Sequence, residues 1–103
     1  MELTVGKEAD LKPGQMCSLA IGQGKYVLVF RDGEGGLHAL EDKCSHAEVR
    51  LSGGKFSGFE VECPAHGARF DVRSGKALCM PAVAPVKSYP VKVVAGNIIV
   101  LVE

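Results

Sequence analysis

Glycine and proline divide this chain into short segments, and this limits the length of any regular element. The 103 residues include 13 glycines and five prolines, and the apolar segments between them are of strand length. No segment shows an apolar period of 3.6 residues long enough to predict an amphipathic helix. Short apolar segments separated by glycine-rich turns are typical of all-β proteins. The sequence therefore predicts an all-β, antiparallel fold.

The strand signals are strong towards the two ends of the chain and weak in its middle. Predicted strands cover residues 16–21, 26–31, 37–41, 60–62, 68–72, 89–94 and 98–102. Between about residues 42 and 78 these signals are interrupted, and most of the cysteine and histidine lies there. We therefore expect one domain over residues 1–103, in which a loop-rich lobe of about residues 42–78 is inserted into a β base.

Charge and hydropathy exclude several classes of partner. Twelve basic residues balance twelve acidic ones, so the chain lacks the basic surface that nucleic acid or an anionic membrane would need. Residues 1–8 do not resemble a secretory signal, and no apolar run approaches the length of about 20 residues that spans a bilayer. We expect a soluble, cytoplasmic monomer, in which the four cysteines are metal ligands or buried thiols rather than disulfides.

Two loops of the middle segment each offer one thiolate and one imidazole. Cys44 and His46 form a C-x-H motif, Cys63 and His66 form a C-x-x-H motif, and sixteen residues separate the two motifs. An ordinary zinc finger takes its cysteines from one element and its histidines from another, whereas each loop here is mixed. The pattern suits a two-iron centre in which the cysteines bind one iron and the histidines bind the other. A mononuclear zinc site that braces the lobe is the alternative.

The chain resembles the Rieske ferredoxin family well beyond these four residues. Residues 63–71 (CPAHGARFD) are similar to the second-loop motif of that family, and residues 71–75 (DVRSG) resemble the turn that follows it. Residues 81–86 (PAVAPV) are similar to the proline-containing segment that covers one side of the cluster. The resemblance implies a Rieske-type sandwich of three antiparallel sheets, with one [2Fe–2S] cluster at the tip of the inserted lobe. It also implies a ligand set, which is Cys44, His46, Cys63 and His66.

The ligand set and its surroundings predict a low-potential Rieske centre. Two neutral imidazoles in place of two thiolates raise the potential of a [2Fe–2S] cluster from about −400 mV to between about −150 and +300 mV. High-potential relatives carry a serine and a tyrosine where this chain has Ala68 and Phe70, and loop cysteines where it has Val49 and Ala65. Because hydrogen bonds to the cluster favour its reduced state, the absence of these donors predicts a potential near the bottom of the range.

The resemblance implies a one-electron carrier that catalyses no reaction of its own. Its partners would be a flavin-dependent NAD(P)H reductase and a terminal oxygenase, such as an aromatic ring-hydroxylating dioxygenase. One alternative is the small subunit of an assimilatory nitrite reductase, although many members of that group lack the cluster ligands. A zinc-braced interaction module is another. The Rieske subunit of respiratory complexes is excluded, because it should carry a membrane anchor and the two further loop cysteines.

The remaining polar side chains have simpler interpretations. Cys17 and Cys79 are predicted to be core thiols, because free cysteine packs as a small hydrophobe, and His38 is predicted to lie on the exposed face of a strand. A set of acidic residues is predicted to form a solvated surface; these residues are Glu41, Asp42, Glu48, Glu60 and Glu62. Small and apolar side chains at the loop tips predict a docking patch, formed by Ala47, Val49, Pro64, Ala65 and Gly67.

Overall fold

The computed structural model describes residues 1–45, 48–65, 67–79 and 84–102. Within these ranges the chain forms ten strands and two short 3₁₀ turns, the latter at Glu8–Asp10 and Leu51–Gly53. In chain order the strands are β1 (Glu2–Lys7), β2 (Met16–Gly22), β3 (Lys25–Arg31), β4 (Leu37–Glu41), β5 (Lys55–Ser57), β6 (Glu60–Glu62), β7 (Arg69–Asp71), β8 (Ser88–Tyr89), β9 (Val91–Val94) and β10 (Asn97–Leu101). No helix in the described ranges has the length and apolar character needed to cross a membrane.

The strands form three antiparallel sheets, which confirms the predicted fold class. An outer sheet has the order β1-β10-β9, a central sheet has the order β2-β3-β4-β8, and a lobe sheet has the order β5-β6-β7. The strands of the lobe sheet lie between β4 and β8 along the chain. This position agrees with the predicted insertion, while the division into one domain with a lobe of about residues 42–78 stays a prediction.

The central sheet is the middle layer, and both of its faces are buried. Side chains of successive strand residues point to opposite faces. Along β3, Val27 and Val29 pack into one apolar cluster with residues of the outer sheet, whereas Leu28 and Phe30 pack into a second cluster with residues of the lobe. All four side chains are completely buried. Burial on both faces explains why this strand is apolar without interruption.

The predicted strand of residues 89–94 is divided at Pro90. β8, before the proline, pairs with β4 of the central sheet, and β9, after it, pairs with β10 of the outer sheet. Proline has no N–H to donate to a ladder, and its carbonyl accepts a hydrogen bond from the N–H of Leu101 at 2.9 Å. The prediction of one continuous strand is wrong, because the chain crosses between sheets at this residue.

Two strands were missing from the sequence prediction. β1 pairs with β10, and its half-buried Leu3 and Val5 alternate with exposed residues. This period of two is a strand signal that was available in the sequence. β5 is only three residues long and pairs with β6. A strand of that length between Gly54 and Gly58 is fixed by its partner and has no clear local signal.

Three side chains outside the loops differ from their predicted environments. Cys17 is exposed on the edge strand β2, and Cys79 is only half-buried. His38 is not on an open strand face: its side chain is 21% exposed and its Nε2 lies 2.7 Å from Oδ2 of Asp32. Asp32 is itself buried and also accepts hydrogen bonds from the N–H groups of Glu34 and Gly36. These contacts fix the turn between β3 and β4.

Candidate metal centre

The two predicted cysteine ligands lie in one apolar cluster between the central sheet and the lobe. Cys44 follows the end of β4 by three residues, and Cys63 directly follows β6. Their exposures are 2% and 1%, and both belong to the cluster that contains Leu28, Phe30 and Phe70. The packing of the lobe against the central sheet therefore brings together two thiols that are 19 positions apart in the sequence.

Both cysteines begin loops that are closed in the same way. In loop 1 (residues 44–49) the N–H of Cys44 donates to the carbonyl of Val49 at 2.9 Å. In loop 2 (residues 63–68) the N–H of Cys63 donates to the carbonyl of Ala68 at 2.7 Å. Each bond joins a cysteine to the fifth residue after it, so the two loops have matching backbone closures. The predicted histidine ligand of each loop falls inside the closed segment.

The histidines themselves, His46 and His66, lie outside the described residues. Within the described ranges, no three side chains of cysteine, histidine, aspartate or glutamate are grouped as a metal site would require. The two described members of the predicted set nevertheless have the chemistry that an iron–sulfur cluster needs: they are buried sulfur donors, each at the start of a loop, in the same apolar cluster. These residues fit the group, and the complete set of four ligands stays a prediction.

A strap (residues 78–86) connects the lobe back to the central sheet, and its described ends are attached to both loops. At one end the N–H of Leu78 donates to the carbonyl of Arg69 at 2.7 Å, and Cys79 Sγ lies 3.8 Å from the carbonyl oxygen of Gly67. At the other end Ser45 Oγ donates to the carbonyl of Ala84 at 2.7 Å. The predicted covering segment, residues 81–86, includes three residues outside the described ranges, and its described part lies against loop 1.

Asp42 is buried, which contradicts its prediction as a solvated acid. Its carboxylate accepts hydrogen bonds from Ser18 Oγ at 2.7 Å, from Arg50 Nε at 3.1 Å and from the N–H of Ser52 at 2.7 Å. Burial raises the pKa of the Asp42 carboxyl, but hydrogen bonds from Ser18, Ser52 and Arg50 outweigh burial and hold that pKa below its usual value. The local sequence gave no signal of this, because the donors come from distant segments. Of the other acids predicted at the surface, Glu48 and Glu60 are exposed and Glu41 and Glu62 are half-buried.

The tip of loop 2 is apolar and open to solvent where the structure describes it, whereas loop 1 also presents the exposed Glu48. Pro64, Ala65 and Gly67 are exposed, as predicted, and Val49 is half-buried, while Ala47 lies outside the described residues. Leu78, at the start of the strap, is 44% exposed and was not part of the predicted patch. Its position beside loop 2 depends on the strap, so the sequence alone gave no reason to include it.

Comparison with known proteins identifies the family. A profile of the Rieske [2Fe–2S] domain matches residues 1–90. This chain belongs to the Rieske [2Fe–2S] family. A ferredoxin component of the naphthalene 1,2-dioxygenase system of Pseudomonas putida is 39% identical to it over 85 residues, which are 82% of this Rieske chain and 80% of that protein.

Two solved structures are similar to this Rieske protein over nearly its whole length. The ferredoxin of carbazole 1,9a-dioxygenase from Nocardioides aromaticivorans IC177 has a TM-score of 0.88 and 40% identity, and the match covers 96% of this chain and 95% of that one. A chain from a complex of reduced oxygenase and oxidized ferredoxin in carbazole 1,9a-dioxygenase has a TM-score of 0.91 and 29% identity, with 96% and 91% covered. The cofactor of the family is a Rieske-type [2Fe–2S] cluster, so the family favours this cofactor over the zinc alternative.

Proposed function

We propose that this Rieske protein is a low-potential one-electron carrier, which takes electrons from a flavin-dependent NAD(P)H reductase and passes them to a terminal oxygenase of the aromatic ring-hydroxylating type. The observation that carries the proposal is the pair of buried cysteines, each of which begins one of two loops with matching backbone closures. Similarity to ferredoxin components of dioxygenase systems over four fifths of their length supports the same role.

We further propose that Cys44 and Cys63 bind one iron of the cluster and that His46 and His66 bind the other. When bound, the cluster supplies a one-electron redox couple. The protein surrounds both cysteines with apolar side chains of the central sheet and the lobe. Because that side of the centre is closed, a partner must approach from the open loop tips.

The loop tips suit brief contact with a protein partner. Pro64, Ala65 and Gly67 of loop 2 are exposed, and so is Leu78, whose neighbour Cys79 has its Sγ 3.8 Å from the carbonyl oxygen of Gly67. A small contact area is typical of weak redox encounters, which bury less than about 1,200 Å² in total. An electron carrier must leave one partner before it meets the next, so weak binding is an advantage here.

We propose that the carrier is a monomer and works in the cytoplasm, where NAD(P)H is available to its reductase. The equal numbers of basic and acidic residues support protein partners over nucleic acid or an anionic membrane.

Stopped-flow spectroscopy tests the transfer step directly. The purified carrier is reduced by one electron without oxygen and mixed with the oxidised ring-hydroxylating oxygenase of the organism that makes this chain. We expect rapid reoxidation of the carrier and reduction of one oxygenase centre per carrier oxidised. In a parallel experiment, the reduced carrier is mixed with the sirohaem nitrite reductase of the same organism. Transfer to that enzyme and not to the oxygenase would replace the proposed role with the nitrite reductase alternative.

A further inference from the structure

The two ligand loops have the same closure but different stems. Below loop 2, the chain enters from β6 and leaves into β7, and these strands form an antiparallel ladder in which Glu62 is paired with Arg69 and Val61 with Phe70. Loop 2 is therefore the end of a hairpin, and backbone hydrogen bonds hold its two stem segments together.

Loop 1 has no such ladder among the described residues. The chain enters it from the end of β4 through Asp42 and Lys43, and it leaves through Arg50 into the 3₁₀ turn at Leu51–Gly53. The groups that join the two stems are the carboxylate of Asp42 on the entry side and, on the exit side, Arg50 Nε at 3.1 Å and the N–H of Ser52 at 2.7 Å. Among the described residues, the Asp42 carboxylate thus joins the two stems of loop 1, as the strand ladder joins those of loop 2.

The same carboxylate fixes the stem to the central sheet. Ser18 of β2 donates to Asp42 at 2.7 Å, and Arg50 Nη2 donates to the same serine hydroxyl at 2.7 Å. The N–H of Asp42 donates to the carbonyl of Tyr26 at 2.9 Å, and the Arg50 guanidinium lies 3.6 Å from the centre of the Tyr26 ring. Asp42 therefore connects both stems of loop 1 to two strands of the base.

Loss of the negative charge of Asp42 would disturb the segments that its carboxylate joins, as well as the side chain itself. The side chain is completely buried. A buried carboxylate is tolerated only when donors replace the water it has lost, and here a hydroxyl, a guanidinium and a backbone N–H supply them. Removing the carboxylate leaves those three donors without their acceptor, and they belong to β2 (Ser18) and to the exit stem of loop 1 (Arg50 and Ser52).

We propose that Asp42 is a positioning residue for the metal centre, which holds loop 1 so that its ligands meet those of loop 2. This inference rests on the cluster assignment in the proposed function, and on no property of the redox partners. It predicts that cluster retention depends on Asp42 more strongly than on another carboxylate with equal burial and equal hydrogen bonding.

Asp32 provides the matched control. It is 4% exposed against 2% for Asp42, and it also accepts three hydrogen bonds, from the N–H groups of Glu34 and Gly36 in its own turn and from Nε2 of His38 on β4. The turn that it closes, between β3 and β4, carries no ligand. The variants Asp42→Asn and Asp32→Asn are purified with the cluster. Loss of the visible absorption in the presence of an iron chelator is followed, together with unfolding by far-UV circular dichroism.

We expect the cluster of Asp42→Asn to be lost about 10- to 100-fold faster than that of the wild type, in proportion to the loss of metal affinity that follows removal of the supporting partners of metal ligands. The EPR g values of the reduced cluster should change as well. Asp32→Asn should lower resistance to unfolding and leave both cluster readouts as in the wild type. Equal cluster lifetimes for the two variants, at comparable unfolding midpoints, would overturn the proposal.

Arg50→Gln keeps the inference testable if Asp42→Asn does not fold. Positioning predicts that this variant also shortens the cluster lifetime, because one stem connection is removed. A purely electrostatic role for the pair predicts instead that the two variants shift the reduction potential in opposite directions and leave the lifetime unchanged, which would also overturn the proposal. A wild-type protein that contains no cluster would refute the proposed function itself, and the experiment distinguishes that result from the others.

Discussion

Gly75 and Val86 are in backbone contact, and the turn after β7 supports the strap through them. The N–H of Val86 donates to the carbonyl of Gly75 at 2.8 Å. A Cβ atom at position 75 would overlap the carbonyl oxygen of Val86. Gly75 also has a φ of 82°, a conformation that side chains rarely adopt.

Gly75→Ala should therefore destabilise the protein by more than about 2 kcal/mol, because backbone strain and steric overlap act together. Gly58→Ala is the matched control, since Gly58 has a φ of 61° but open space around its Cα. The free energy of unfolding of that variant should fall by only about 1 kcal/mol, because its backbone conformation is strained but no steric overlap is added. Urea unfolding of both variants gives the comparison. Equal losses of unfolding free energy in the two variants would mean that the strap can move away from residue 75 without destabilising the protein.

The metal content of the purified protein is the most direct check of the ligand assignment. We expect about two irons and two acid-labile sulfides per chain, the composition of one [2Fe–2S] cluster. Cys44→Ser and Cys63→Ser should each abolish the cluster and destabilise the lobe, because metal binding contributes to folding free energy. Cys17→Ser changes an exposed cysteine and should leave the metal content unaltered. A colourless protein with one zinc per chain would contradict the assignment.

The docking patch predicts that a charge at the loop tip slows electron delivery. Ala65→Glu places a carboxylate in the exposed apolar surface of loop 2, where a partner would have to desolvate it. Transfer to the oxygenase should slow at least about tenfold, equivalent to about 1.4 kcal/mol, with an unchanged visible spectrum. Ala20→Glu, at an exposed position of β2, should not change the rate. Equal rates of electron transfer for the two variants would show that the docking surface lies elsewhere.

Asp32 predicts a dependence of stability on pH. The hydrogen bond from His38 and those from the backbone of Gly36 and Glu34 hold the pKa of the Asp32 carboxyl below its usual value, although burial opposes them. A lowered pKa in the folded state means that the stabilisation is present above the unfolded-state pKa of about 3.9 and is lost as pH falls through the folded-state value. Asp32→Asn should therefore cost about 1–2 kcal/mol at neutral pH, and its deficit should shrink below about pH 4. Urea unfolding at several pH values measures this; a deficit that does not vary with pH would rule out the linkage.

The reduction potential is predicted to lie near the bottom of the range from about −150 to +300 mV. Ala68 and Phe70 are completely buried beside Cys63, and neither side chain can donate a hydrogen bond. Ala68→Ser and Phe70→Tyr should each raise the midpoint measured by protein-film voltammetry. Phe59→Tyr, under the guanidinium of Arg73, is the control and should leave it unchanged. A clearly positive midpoint in the wild type would show that other donors replace the missing hydroxyls.

The sequence predicted those features that depend on local spacing. The two loop motifs around Cys44 and Cys63 and most of the strands follow from neighbours in the chain, and the structure places both cysteines in one buried cluster. His46 and His66 lie outside the described residues, so their part in the site stays a prediction.

The features that the sequence did not predict depend on contacts between distant segments. Asp42 is buried because Ser18 and Arg50 reach it across 24 and eight positions. The division of a strand at Pro90 could be predicted only from the knowledge that the segments before and after it pair with two different sheets. His38 is held by Asp32 of the preceding turn, and a period of two cannot distinguish that contact from exposure to solvent.

The alternation along β3 also divides the molecule into two sets of positions that can be engineered separately. Substitutions at Val27 and Val29 change packing against the outer sheet, whereas substitutions at Leu28 and Phe30 change the side of the sheet that surrounds the cysteines. A library at the odd-numbered pair should therefore yield carriers that differ in thermostability and share an unaltered redox potential. A library at the even-numbered pair should yield carriers that differ in potential on the same scaffold.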